Sequence, residues 1–148
     1  MKASARDLAK FQRLPGVTVG QRVTLADTVF VPIPPSANNL FATVRGRRVK
    51  SKAYKAWLAE AVPMLTALAG PESYPCELRY SVFGPMHGNR DLANLEKPLS
   101  DALVAAGCIP DDKIKYVTGV QLRYHTESAY DRVVRVAFAP GAGHRRLD

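Results

Sequence analysis

Cysteine is scarce in this 148-residue chain: only Cys76 and Cys108 occur, 32 positions apart and with no Cys-x-x-Cys spacing. That spacing indicates neither a zinc site nor a redox motif, and both thiols lie beside apolar residues, as buried free cysteines do in a reducing cytoplasm. His87, His125 and His144 share no ligand spacing and read as structural or solvent-facing. Long apolar runs are also missing, since nothing approaches the ~18–20 uncharged residues that span a bilayer. Residues 1–12 mix charges with short apolar side chains and lack the continuous core of a signal peptide. Membrane and secreted readings are therefore poor, and a cytoplasmic protein is expected.

Carboxylates are thin at one end. Residues 1–55 hold 11 Lys and Arg against two Asp, whereas residues 56–148 hold 10 Lys and Arg against 11 acids. The formal net charge of +8 thus comes from a basic first third on a nearly neutral remainder. Clustered cations suit a polyanion, because binding phosphates releases condensed counterions. Solubility alone also explains excess charge, so composition favours a nucleic-acid partner only slightly. Hydrophobic residues reach 47%, enough for one compact core at this length.

Hydrophobic periodicity predicts the elements. A short helix over 3–11 and a weak strand over 17–25 form an N-terminal extension, residues 1–27. The domain proper covers 28–139, and a polar tail covers 140–148. Residues 28–33 are β-branched and aromatic and read as a strand that Pro34 and Pro35 end. Gly46 suggests a turn between short extended pieces within 45–50. Ser51 can cap a helix whose Tyr54, Trp57, Leu58, Ala61, Leu65 and Leu68 share one face, with a kink or break expected at Pro63. The aromatics of that stripe read as core, not as a base-stacking platform. Leu78, Tyr80 and Val82 alternate with Arg79 and Ser81 as a strand. A second helix should run from about 95 to 106, with Gly107 as its stop. Two further strands, around Val120, Leu122 and Tyr124 and around Val134, Val136 and Phe138, look like a hairpin because their connection over 127–131 is short. The expected fold is an α/β (α+β) domain: a small mixed sheet with two main helices.

The chemistry concentrates in Arg90-Asp91-Leu92-Ala93-Asn94-Leu95-Glu96-Lys97, then Asp101 and Asp111-Asp112. Grouped carboxylates beside a lysine suit Mg²⁺, which takes oxygen ligands and retains waters. The same residues also suit plainer roles: Asp91 as a helix cap, Lys97–Asp101 as a solvated pair, Asp111-Asp112 as a turn. Upstream, Arg45, Arg47, Arg48, Lys50, Lys52 and Lys55 place six cations within 11 positions with no acid among them, a pattern suited to gripping DNA backbone.

Taken in order, Pro34-Pro35-Ser36-x-Asn38-Asn39, the basic strip ending in Ser51, Arg90-Asp91-Leu92-x-Asn94-Leu95-x-Lys97, Asp101-Ala102-Leu103, Gly107 and Asp111-Asp112 resemble the RusA family of Holliday-junction resolvases, over about residues 28–138. Members of that family are small homodimeric Mg²⁺-dependent endonucleases, often encoded by phages and prophages, that nick four-way DNA junctions symmetrically. The resemblance implies a catalytic set of Asp91, Lys97 and Asp112, with Asp91, Asp112 and the adjacent Asp111 as metal ligands. It also implies DNA contacts from the six cations and from Asn38, Asn39 and Arg90. The family's Asp-x-Asp-Asn pattern is broken here, because Ala93 stands where its second aspartate would be. Alanine has no oxygen to offer a metal. Three readings follow: an engineered inactive variant, which is preferred because alanine is the usual knockout; a natural member that binds branched DNA without cutting it; or substitution by a neighbour such as Asp111 or Glu96.

Overall fold

The computed structural model describes residues 25–126 and 130–141. The helix at 3–11, all but the last residue of the strand at 17–25, and the tail from 142 lie outside the described residues. The rest forms a four-stranded mixed sheet, a separate two-stranded hairpin and two helices.

The sheet contains β1 (Thr28–Pro32), β4 (Cys76–Phe83), β5 (Val117–His125) and β6 (Val133–Pro140), in the order β1-β6-β4-β5. Strand β6 is antiparallel to both β1 and β4, while β5 runs parallel to β4. Between β1 and β4 come the hairpin, β2 (Phe41–Val44) with β3 (Arg47–Lys50), and helix α1 (Lys52–Leu65). Between β4 and β5 comes α2 (Glu96–Ala105), entered through a 3-10 turn at Leu92–Leu95.

Burial follows the alternation along each strand. Val29 and Val31 of β1, Leu78, Tyr80 and Val82 of β4, and Val134 and Val136 of β6 form one core with Tyr54, Trp57, Ala61 and Leu65 of α1 and Leu99, Ala102 and Leu103 of α2. Both helices therefore cover the same side of the sheet. The Trp57 indole N–H donates to the Pro32 carbonyl at 2.8 Å and fastens α1 to the end of β1. Ser51 caps α1 as expected, its Oγ accepting from Tyr54 N–H at 3.1 Å. Cys76 is a buried free thiol and Cys108 a half-buried one; burial raises both above the ordinary thiol range, which keeps them as unreactive thiols.

Three expectations need correction. The last two strands are not a hairpin: β6 inserts between β1 and β4, and β5 takes the far edge. The reason is polarity. Val133, Val134 and Val136 of β6 are buried, whereas β5 carries Gln121, Arg123 and a Val120 that stays 43% exposed. A strand apolar on both faces gains most from a central position, and a polar one tolerates the edge. Second, α1 does not break at Pro63 but continues to Leu65. Proline removes the N–H that would reach the carbonyl of Ala59, and Ala59 is exposed, so water can replace the lost donor. Third, Val120 does not face the core as its alternation suggested. Among the described residues no helix is long and apolar enough to cross a membrane.

Candidate functional site

The basic strip becomes a projecting β-ribbon. Strands β2 and β3 pair from Phe41↔Lys50 to Val44↔Arg47, leaving a two-residue turn at Arg45-Gly46. Both turn residues have positive φ, 51° at Arg45 and 74° at Gly46, the pattern of the turns that match hairpin twist. Glycine adopts this region freely and arginine at a cost, so Arg45 occupies a strained position on the tip. Phe41, Thr43, Arg48 and Lys50 share one face, where the Arg48 guanidinium lies 3.9 Å from the centre of the Phe41 ring. Arg45, Arg47, Arg48, Lys50, Lys52 and Lys55 are all exposed. Val44, beside the tip, is 52% exposed.

The ribbon's base is tied to the acidic segment. Pro34 and Pro35 lead into a 3-10 turn at Ala37–Asn39, with Asn38 and Asn39 exposed. Ser51 Oγ donates to the Asn39 carbonyl at 2.7 Å, and Ser51 N–H donates to the Leu40 carbonyl at 2.8 Å, which closes the ribbon onto this turn. The turn packs in its own right against Leu92–Leu95 and α2. Arg90 adds a second link, its Nη2 donating to the Pro34 carbonyl at 2.6 Å. The loops after β1 and β4 thus meet beyond the carboxyl ends of two parallel strands, where open α/β sheets commonly bind ligands. A cleft there is lined by Pro32, Ile33, Met86, His87, Arg90 and Arg132. Nothing in the sequence singles out Arg132, and His87 reads there as structural or solvent-facing; only the folding of 84–91 against 132 brings them to Arg90.

Asp91, Asp101 and Asp111 each have a defined local role. Asp91 starts the 3-10 turn, and its Oδ1 accepts from the N–H of Ala93 at 3.1 Å. Ala93 is exposed. Lys97 Nζ lies 3.2 Å from Asp101 Oδ2, an exposed pair one helical turn apart. Asp111 Oδ1 accepts from the Asp112 N–H at 2.7 Å, and its Oδ2 lies 3.2 Å from Lys113 Nζ. The Asp112 N–H and then the Lys113 ammonium hold the Asp111 carboxyl below its usual range. Asp112 is exposed. Among the described residues no hydrogen bond or ion pair joins Asp91, Lys97 and Asp112 to one another, and no three His, Cys, Asp or Glu side chains converge as a metal-binding group. Mg²⁺ suits these groups in type, since exposed carboxylates are hard oxygen donors. In number they fall short, since the described residues form no ready-made metal group.

Behind the acidic segment lies a buried polar chain that the sequence pattern did not reveal. The Tyr80 hydroxyl is 2.9 Å from Ser100 Oγ, which in turn donates to Glu96 Oε1 at 2.5 Å. Because the single Ser100 proton goes to the carboxylate, Tyr80 must be the donor to Ser100. Burial, and then the negative charges of Glu96, Asp112 and Asp101, push the Tyr80 phenol far above its ordinary value, with the Ser100 bond opposing them. The chain fixes Glu96 at the first turn of α2, three residues beyond Ala93. Ser100→Ala should cost about 1–3 kcal/mol by stranding the buried Tyr80 hydroxyl, and Tyr80→Phe only about 1 kcal/mol because Ser100 keeps its bond to Glu96. Urea unfolding of the two variants checks that order; equal losses would contradict the chain's polarity.

No protein-family model matches this chain, and no curated protein matches it either.

Proposed function

We propose that this chain is a branched-DNA-binding protein of the junction-resolvase type, acting as a Mg²⁺-dependent endonuclease whose cleavage is weakened by Ala93. The observation that carries the reading is the junction of two loops: Arg90 bonded to Pro34, and the Ala37–Asn39 turn packed on Leu92–Leu95. It sets a projecting cationic ribbon beside the segment bearing Asp91 and Lys97. Arg45, Arg47, Arg48, Lys50, Lys52 and Lys55 bind backbone phosphates and position the substrate without reading bases. Asn38, Asn39 and Arg90 border the strand that reaches the acidic segment. Lys97 supplies a fixed positive charge for the departing oxygen. Its pair with Asp101 is exposed, and such pairs contribute roughly 0–1 kcal/mol, so a phosphate can displace the carboxylate. Asp91 and Asp112 would hold the Mg²⁺, with Asp111 beside them.

Two matched nicks require two sites related by symmetry, so the working form is a homodimer, in the cytoplasm of a bacterial or phage-infected cell. A second reading, a protein that binds branched DNA without cutting it, is favoured by one observation: the side chain at 93 is a methyl group.

Fluorescence anisotropy with a labelled four-way junction and a duplex of equal length tests the reading. The junction should bind more tightly, and affinity should fall steeply between about 50 and 200 mM salt. Absence of binding to either DNA at the low-salt end would overturn it.

A further inference from the structure

On the face of the sheet turned away from the helices, Phe83 and Val133 are buried at one end against Phe30 and Tyr130, and the rows beyond them are basic and only partly covered by described residues. Register places Phe30, Arg135, Ser81 and Arg123 in one row across all four strands, and Thr28, Ala137, Arg79 and Gln121 in the next. Arg79, Arg123, Arg135 and His125 help to line a shallow cavity of about 370 Å³ on this face. Sheet spacing sets Arg135 and Arg123, two strands apart, about 10 Å from each other, with Arg79 about 7 Å along β4 from the Ser81 that separates them.

These cations are poorly neutralised. Arg79 Nε lies 3.4 Å from Glu77 Oε1, the one ion pair on this face among the described residues. Arg135 donates to Ser81 Oγ at 3.5 Å and lies 5.6 Å over the Phe83 ring. Arg123 makes no hydrogen bond or ion pair with a described residue. His125 stacks on Phe83 with ring centres 4.8 Å apart, and its Nε2 is buried without a described partner. Phe83 is itself buried, so it braces a guanidinium and offers no ring face to a base.

Charge selects the occupant. A second copy meeting this face would set guanidinium against guanidinium, whereas a phosphate matches the planar fork of arginine in both charge and geometry. We propose that this face binds the phosphodiester backbone of DNA, as a second contact surface separate from the ribbon. The proposal rests on the DNA-binding reading and adds to it: a branched substrate has several arms, and one ribbon contacts one of them.

The test compares the wild-type chain, R79Q/R123Q/R135Q and the single variant R123Q on a labelled four-way junction, across a salt series. The log–log salt slope should fall by about two to three in the triple variant and about one in R123Q, each lost phosphate contact being worth roughly 0.9. Affinity for the junction should drop at least about tenfold in the triple variant. R123Q replaces an exposed-face side chain with no described partner, so it keeps the test valid if the triple variant folds poorly by circular dichroism. Wild-type slope and affinity in R123Q and in a folded triple variant would overturn the surface while leaving ribbon-mediated binding intact. Altered sedimentation with unchanged DNA affinity would also overturn it and mark the face as a protein interface. A wild-type chain that binds no DNA would remove the parent reading and this surface together.

Discussion

Ala93→Asp should raise nicking of a labelled four-way junction in Mg²⁺ by at least about a hundredfold, the order by which single charge-stabilising groups change enzymatic rates. The position allows the change. Ala93 is exposed on the 3-10 turn that Asp91 starts, and its contribution to that turn is a backbone N–H bonded to Asp91 Oδ1, which an aspartate retains. A carboxylate near the start of a helical segment is favoured by the exposed N–H groups there, so stability should change by less than about 0.5 kcal/mol. The new side chain would stand two residues from Asp91 and three from Glu96, supplying the oxygen donor that alanine lacks. Binding should weaken slightly, because the net charge drops by one, and nicking must therefore be measured at saturating protein. Adding Asp112→Asn to Ala93→Asp should abolish the gain. If Ala93→Asp binds the junction and nicks it no faster than the parent chain, the roles of Asp91, Lys97 and Asp112 fail and non-cleaving binding remains.

How much of this arrangement could be read beforehand depends on how local its cause is. The cap at Ser51, the buried stripe from Tyr54 to Leu65 and the turn at Gly46 are set by neighbours within a few residues, and periodicity finds them. The mixed sheet with two helices follows from the same patterns. Strand order is different. Whether β6 pairs with β5 or inserts beside β1 is decided by a competition for the central slot, and the short connection at 127–131 pointed to the nearer partner. The unbroken apolar run Val133-Val134 against the polar Gln121-Leu122-Arg123 carried the correct signal. At the site, Asp91, Lys97, Asp111 and Asp112 were visible as residues, but the contacts described for them are local: a cap, an exposed pair and a turn. Arg79, Arg123 and Arg135 were invisible as a group, because they lie on three strands and only register aligns them.

The ribbon gives the second large effect. R45Q/R47Q/R48Q should weaken junction binding by about a hundredfold near physiological salt and reduce the log–log salt slope by about three. Glutamine keeps the aliphatic stem and a polar end that still donates hydrogen bonds, so the main loss is the charged guanidinium fork. These side chains are exposed, and the one ring contact among them, Arg48 over Phe41, should survive in part through the glutamine stem. Arg45→Gly serves as the control for the tip: it removes the same charge but relieves the positive φ, so it should raise thermal stability while lowering the salt slope by about one. Phosphate contacts position without specifying, which predicts that the triple variant loses affinity for duplex and junction in the same proportion. A variant that lost its preference for the junction instead would place branch recognition on the ribbon itself. An unchanged slope would remove the ribbon from the DNA interface, and with it the reason for setting the cations beside Asp91.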